Sequence, residues 1–234
     1  MKIILTGSTG YVGKEVLKQC LLHPQLSSII ALSRRELDVT NPKLRVIIHS
    51  DFSHYSPEIL AEVSSADACI YCLGTNVPVR PAELNRKINF EFALGTANTF
   101  SAAFIANKGQ EQRTFKFVYL SGALTEKDEN KKLWFLNENR KMRGELENAL
   151  IKLGRDTKKG GFEVYLVRPG FVQPEGASVR NWVAGKLANS IMVHHLAASI
   201  LRVARDGYRE PLIENDKLNS WGKIAVDSVA TRKL

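Results

Sequence analysis

The fold of this chain is decided by residues 3–13, which read IILTGSTGYVG. An apolar run typical of a buried strand ends at Thr6, and Gly7, Gly10 and Gly13 then follow at regular spacing. In such a pattern one glycine permits a tight turn, the next lets backbone amides approach phosphates, and the last brings helix and strand close. The pattern predicts a cradle for the pyrophosphate of a dinucleotide at a helix N-terminus. Its predicted residues are Thr6, Gly7, Ser8, Thr9, Gly10, Tyr11, Val12 and Gly13.

The residues around this stretch favour the cradle over a plain strand-to-helix turn, which a glycine triplet alone would suit equally well. The apolar run begins directly after Met1 and Lys2, so we expect it to be the first strand of the domain. Apolar residues then recur at helical spacing until Pro24 stops the pattern. The members of that pattern are Tyr11, Val12, Val16, Leu17, Cys20 and Leu21.

Apolar strand candidates alternate with helical patterns along most of the chain. Strands are predicted at 2–5, 28–32, 44–48, 68–73, 115–120 and 163–167, and helices at 11–22, 58–64, 82–106, 134–153 and 188–205. This alternation predicts an α/β protein with a doubly wound parallel-sheet Rossmann fold. The 234 residues, 44% of them hydrophobic, suit a single domain over 1–234. Because the alternation weakens after Arg168, residues 168–234 are expected to form a small C-terminal substrate-pocket region, or cap.

The composition limits which partners and which cellular compartment we expect for this protein. The net charge is +9, but the basic residues are scattered without interleaved aromatics, so we expect no nucleic-acid partner. The sequence shows neither an apolar run long enough for a membrane span nor a signal peptide, which predicts a cytoplasmic protein without stable membrane insertion. Cys20, Cys69 and Cys72 lie in apolar segments and are predicted to be core thiols of a reducing compartment, so no metal site is expected.

The predicted ends of the second and third strands point to the cofactor. An acidic residue at the end of the second strand would bind the free 2′-hydroxyl of NAD, whereas this chain has Ser33, Arg34 and Arg35 there. Guanidinium groups suit a 2′-phosphate, so the sequence predicts NADP(H), with a solvated arginine pair as the alternative. Asp51 and Phe52 follow the third strand and are predicted to flank the adenine, although Asp51 would also suit a helix cap.

Five short motifs together resemble the atypical short-chain dehydrogenase/reductases, and most of all the Tat-interacting-protein oxidoreductase group with its fungal mitochondrial relatives. They are Thr6-Gly7-x-x-Gly10-x-x-Gly13, Ser33-Arg34-Arg35, Cys72-Leu73-Gly74-Thr75, Tyr119-Leu120-Ser121 and Arg168-Pro169-Gly170, with a closing segment over 214–222. The resemblance implies that Leu73, Gly74 and Thr75 line the nicotinamide half of the cofactor. It also implies that Arg168, Pro169 and Gly170 turn beside the nicotinamide, and it leaves association with the mitochondrial surface open as an alternative to the cytoplasm.

Ser121 matches the catalytic serine of that family, whose hydroxyl polarises a substrate carbonyl. A serine between strand and helix also commonly caps the following segment, so that role stays open. The family carries a Tyr-x-x-x-Lys pair on the next helix, and alignment on Gly144-Glu145 puts Asn139 in the tyrosine place and Arg143 in the lysine place. Asparagine cannot deliver a proton, whereas Arg143 can still hold the ribose hydroxyls. We therefore name Ser121, Asn139 and Arg143 as the candidate catalytic residues.

Other residues are weaker candidates. Tyr119 lies deeper in the sheet than Ser121 and is predicted to belong to the core. Phe171 and Trp182 fall in the expected cap and would suit an apolar substrate, although aromatic residues are more often found in cores.

These residues support three hypotheses on function. The first is an NADP(H)-dependent oxidoreductase acting on a small carbonyl or enone compound, with the proton supplied by water or a loop acid. The second is a redox-neutral isomerase or cyclase that uses the same pocket. The third is a non-catalytic NADP(H)-sensing interaction protein. A small organic substrate is the expected partner, and a homodimer stays open.

Overall fold

The computed structural model describes residues 1–75, 77–109, 112–128, 130–174 and 189–231, with side chains as far as 226. Its centre is a seven-stranded sheet in which every neighbouring pair is parallel, in the order β3-β2-β1-β4-β5-β6-β9. The strands are β1 (Lys2–Thr6), β2 (Ser28–Ser33), β3 (Leu44–Ile48), β4 (Ala68–Tyr71), β5 (Phe115–Leu120), β6 (Phe162–Arg168) and β9 (Leu212–Glu214). The order reverses between β1 and β4, and a crevice at such a reversal is where these sheets bind ligands.

Helices cover both faces of the sheet, because strands of a parallel sheet are apolar on both sides. They are α1 (Tyr11–Leu22), α2 (Pro57–Ser65), α3 (Ala82–Arg86), α4 (Phe92–Asn107), α5 (Asn137–Thr157), α6 (Val193–Asp206) and α7 (Asn215–Thr231). One core packs α2, α4 and α5 against the sheet, and the other packs α1, α6 and α7 against its opposite face. The predicted doubly wound α/β fold is confirmed.

The structure departs from the predicted helices in several places. The helix predicted at 134–153 spans Asn137–Thr157, and no helix was predicted for α7. The helix predicted at 82–106 is broken by a π-helical turn, Lys87–Glu91, between α3 and α4. The helix predicted to start at 188 begins at Val193, because β8 (Ser190–Met192) pairs in parallel with β7 (Phe171–Gln173). Both strands have three residues, which is too short for a periodic signal in the sequence.

The region from Arg168 onward contributes β7, β8, β9, α6 and α7 to the described structure. Residues 175–188, which include Trp182, lie outside the described residues. The organisation as one domain with a cap over 168–234 therefore stays a prediction.

The cysteines take the places that the sequence predicted. Cys20 and Cys69 are buried and Cys72 is partly buried, and all three are free thiols. Burial raises the pKa of both Cys20 and Cys72 to about 12, so these thiols are neutral near pH 7. Among the helices that the structure describes, none combines the length and the apolar character needed to cross a membrane.

Candidate functional site

The loop between β1 and α1 is built by close backbone approaches. Gly7 has φ of +72°, and a Cβ there would come within 2.5 Å of the carbonyl carbon of Cys72, at the end of β4. A Cβ on Gly13 would collide with the carbonyl oxygen of Gly7. Gly10 donates its N–H to that same oxygen at 2.9 Å. The three glycines therefore hold the loop tightly between α1 and β4, as the sequence pattern predicts.

The start of α1 fits an anionic group. Gly10 is the N-cap and has no side chain to bond the first N–H groups of the helix. Thr6 Oγ1 and Ser8 Oγ are buried and have no hydrogen-bond partner among the described residues. Lys14 adds a positive charge to the first turn. Free donors, a helix dipole and a nearby cation match the pyrophosphate of a dinucleotide.

A cavity of about 750 Å³ opens between α1 and residues 35–41. Its polar wall combines three cations with two carboxylates and three neutral groups, and consists of Lys14, Lys18, Arg35, Glu36, Asp38, Ser8, Thr9 and Asn41. Arg35 thus faces the same space as the cradle, while Ser33 is buried at the end of β2 and Arg34 is exposed. The two lysines add positive charge that the sequence motifs did not single out, although Lys14 directly follows Gly13.

The structure gives Asp51 and Phe52 local roles. Asp51 accepts hydrogen bonds from the ring of His54 and the N–H of Ser53, each at 3.0 Å. These bonds, the one from His54 first, lower the pKa of Asp51 to about 2. Phe52 is only 1% exposed and packs against His49 and Phe92. The adenine contact predicted for this pair stays a prediction, and in this structure the Phe52 ring belongs to the core.

Thr75, after β4, is held in place by two side chains. Its N–H donates to Asn89 Oδ1 at 2.7 Å, and Asn89 Nδ2 donates to its hydroxyl at 2.9 Å. Arg143 Nη2 donates to its carbonyl oxygen at 2.8 Å. Leu73 and Gly74 lie in the same loop, which follows the strand beside the cradle. The Leu73-Gly74-Thr75 segment and Arg143 are therefore brought together as predicted from different parts of the chain.

Asn139 belongs to a series of buried amide side chains that are hydrogen-bonded to one another. Its Oδ1 accepts from Asn85 Nδ2 at 3.2 Å, and Asn85 Oδ1 accepts from Asn89 Nδ2 at 2.8 Å. All three side chains are buried. Burying a polar group costs free energy unless it is hydrogen-bonded, so this series of amide hydrogen bonds fixes α5 relative to α3 and the π-helical turn. The sequence interpretation missed Asn85 and Asn89, although their i, i+4 spacing places them on one helix face.

Ser121, at the end of β5, contacts a buried carboxylate. Its hydroxyl donates to Glu147 Oε1 at 2.6 Å. Glu147 is 0% exposed and also accepts from Arg168, whose Nε lies 3.2 Å from Oε1 and whose Nη2 bonds Oε2. Arg168 reaches Glu214 with Nη1 at 2.8 Å. Burial tends to lower the pKa of Arg168, but its bonds to Glu147 and Glu214 raise it above the ordinary value.

Glu147 is a further site residue that the sequence interpretation missed. Asn139, Arg143 and Glu147 follow one another at i, i+4 spacing, so they share one face of α5. Extending the aligned pair by one more turn would have found it. The guanidinium of Arg168 is committed to the two carboxylates, while Gly170 donates its N–H to Asn215 Oδ1 at 2.7 Å. The Arg168-Pro169-Gly170 turn is thus attached to the first residue of α7.

Tyr119 and Phe171, the two weaker candidates within the described residues, differ in exposure. Tyr119 is 8% exposed in the core, as predicted, and burial raises its pKa to about 12 although Arg143 opposes the shift. Phe171 is 62% exposed and is available for an apolar contact.

Comparisons with known proteins show which proteins this chain resembles. No known family model matches the chain. The mitochondrial protein FMP52 of Candida albicans is 26% identical over 230 residues, covering 97% of this chain and 87% of that protein. A fungal mitochondrial relative, which the motifs led us to expect, is therefore found.

Solved structures of other proteins are similar to this structure over almost the whole chain. A short chain dehydrogenase from Burkholderia cenocepacia in complex with NADP has a TM-score of 0.66 at 15% identity, covering 99% of this chain and 94% of its own. The oxidoreductase ylbE from Lactococcus lactis has a TM-score of 0.66 at 20% identity, covering 99% and 97%. The chain therefore shares the α/β Rossmann-like fold of these two proteins.

Proposed function

We propose that this protein binds NADP(H) and acts as an oxidoreductase of the short-chain dehydrogenase/reductase type on a small carbonyl or enone compound. The observation that carries the proposal is the uncapped start of α1, where the unpartnered, buried hydroxyl of Ser8 lines a cavity bordered by Arg35. Fold similarity supports a nicotinamide dinucleotide, and Arg35 with Lys14 supports the 2′-phosphate.

Each part of the site has a role in this proposal. The N–H groups of the Gly7–Gly13 loop would hold the pyrophosphate, and Arg143 would hold the nicotinamide ribose while its Nη2 bonds Thr75. A bound nicotinamide supplies hydride chemistry. The loop containing Thr75 and the end of β5 containing Ser121 then form the two sides of the space for the substrate, since β4 and β5 are neighbours in the sheet.

A redox-neutral isomerase or cyclase is the second candidate, because Asn139 occupies the place of the family's proton-donating tyrosine and is bonded to Asn85. Steady-state measurement separates the two. With saturating NADPH and a broad panel of aldehydes, ketones and enones, the oxidoreductase proposal expects NADPH oxidation above the rate of a boiled control. Complete absence of oxidation, with the cofactor shown to be bound, would favour the redox-neutral enzyme.

A further inference from the structure

The hydrogen bond from Ser121 to Glu147 determines whether the serine hydroxyl can donate or accept a hydrogen bond toward a ligand. A serine carries one proton and an ionised carboxylate only accepts, so the 2.6 Å contact uses the proton of Ser121. This length is typical of a charge-assisted O–H···O⁻ bond. Toward a ligand, Ser121 Oγ is then left with lone pairs and can only accept.

Two cations are paired with Glu147. Arg168 donates to both of its oxygens, and Lys127 Nζ lies 3.6 Å from Oε2. Because Glu147 is fully buried, these ion pairs and the hydrogen bond from Ser121 take the place of water around its carboxylate group. Glu214 shares Arg168 from the far side, at a partly exposed position.

The lone pairs of Ser121 are not taken by its nearest hydroxyl neighbour. Thr125 Oγ1 is 3.4 Å from Ser121 Oγ, but it donates its own proton to the carbonyl oxygen of Gly122 at 2.7 Å. Ser121 is a partly exposed residue. The site therefore offers an acceptor where the sequence led us to expect a donor to a carbonyl.

We propose that Ser121 binds the hydroxyl of the alcohol member of a carbonyl–alcohol couple, and that Glu147 acts through Ser121 as acceptor of the alcohol proton. This inference rests on the proposed function. The alcohol O–H bond breaks as its proton passes to Ser121 Oγ, while the proton of Ser121 passes to Glu147 Oε1. The carbinol hydrogen leaves with its electron pair for an oxidised nicotinamide dinucleotide, which yields the carbonyl product and neutral Glu147. The reverse path returns the proton of Glu147 to a carbonyl oxygen through Ser121.

The substitution Glu147→Gln exchanges donor and acceptor in the hydrogen bond between Ser121 and residue 147. Oε2 faces Arg168 Nη2 and Lys127 Nζ, whereas Oε1 faces only Arg168 Nε of these cationic groups, so the amide oxygen takes the place of Oε2 and the amide nitrogen faces Ser121. Ser121 then accepts from the amide, and its own proton turns toward the ligand. Glu145→Gln is the matched control, because Glu145 lies on the same helix and pairs with Arg86 by two bonds of 2.8 and 3.0 Å.

The first test needs no substrate. Neutron diffraction from crystals of the protein grown in heavy water should place the deuterium on Ser121 Oγ, directed at Glu147 Oε1. A deuterium directed away from Glu147, or bound to the Glu147 carboxyl group, would overturn the proposal. This result is independent of turnover, so a protein that fails to oxidise NADPH but shows this deuterium would reject the oxidoreductase and not the hydrogen-bond direction.

The second test compares matched ligands on the protein saturated with NADP⁺. Calorimetry should find 1-phenylethanol bound about tenfold more tightly than acetophenone by the wild type and by Glu145→Gln, the ratio expected for one hydrogen bond. Glu147→Gln should reverse the preference, and Ser121→Ala should abolish it. If Glu147→Gln does not fold, the wild type and Ser121→Ala still decide the matter. Tighter binding of the ketone by the wild type, or an unchanged preference in Ser121→Ala, would contradict the proposal.

Discussion

Arg143 Nη2 donates a 2.8 Å hydrogen bond to the carbonyl oxygen of Thr75, which ties the middle of the chain's longest described helix to the loop after β4. The same helix face carries Asn139 and Glu147, so a single bond aligns three site residues with the predicted nicotinamide side.

Replacing Arg143 by alanine should weaken NADPH binding about tenfold, because it removes a charge-assisted hydrogen bond and the group proposed to hold the ribose. Arg140→Ala is the control. Arg140 lies on the same helix and donates to a backbone carbonyl, that of Leu124, at 2.8 Å. Calorimetry should find normal affinity in Arg140→Ala, and an equal loss in both variants would contradict the role of Arg143.

Gly13→Ala should abolish measurable dinucleotide binding and lower stability, since the added Cβ collides with the carbonyl oxygen of Gly7. Gly95→Ala, inside α4, meets no atom within 4 Å and should instead stabilise the protein by about 0.5–1 kcal/mol. Urea unfolding followed by circular dichroism measures both effects. Normal cofactor affinity in Gly13→Ala would mean that the close packing of the cradle is unimportant.

Arg35→Ser should weaken NADPH binding by one order of magnitude or more and leave NADH binding unchanged, because Arg35 lines the cavity beside the cradle. Arg34→Ser removes the same charge from the neighbouring position and should have a smaller effect on both nucleotides. If the two variants lose NADPH affinity equally, the preference reflects general charge and not the position of Arg35.

Alkaline pH should unfold the protein cooperatively. Burial raises the pKa of Tyr119 and of Tyr165 to about 12, above the ordinary value of 10.0. A raised phenol pKa means that folding favours the neutral form, so its contribution to stability is complete below pH 10 and is lost as the pH rises toward 12. Phenolate absorbance and circular dichroism should change together above pH 10. Ionisation of all the tyrosines near pH 10 in a folded protein would contradict their burial.

Much of the sheet and one half of the site could be predicted from the sequence. Gly10 and Gly13 have a local cause, their contacts with the carbonyl oxygen of Gly7, whereas Gly7 is required both by the turn and by its approach to the distant Cys72. The position of Ser121 directly after β5 was also predicted correctly, because a continuous apolar run in the sequence indicates a buried strand.

The partners of these residues could not be predicted, because they come from distant segments. The contact of Ser121 with Glu147 spans β5 and α5, and the contact of Glu147 with Arg168 adds β6. Only the packing of helix on sheet brings them together. The π-helical turn at Lys87–Glu91 similarly has no periodic signature, although Asn89 within it connects to Thr75.

The central claim, that this chain binds NADP(H), is tested most directly by calorimetric titration of the wild-type protein with NADPH and with NADH. The account predicts saturable binding of both, with NADPH at least about tenfold tighter, the effect of a paired 2′-phosphate. No measurable binding of either nucleotide by the folded protein, or equal affinity for the two, would contradict it.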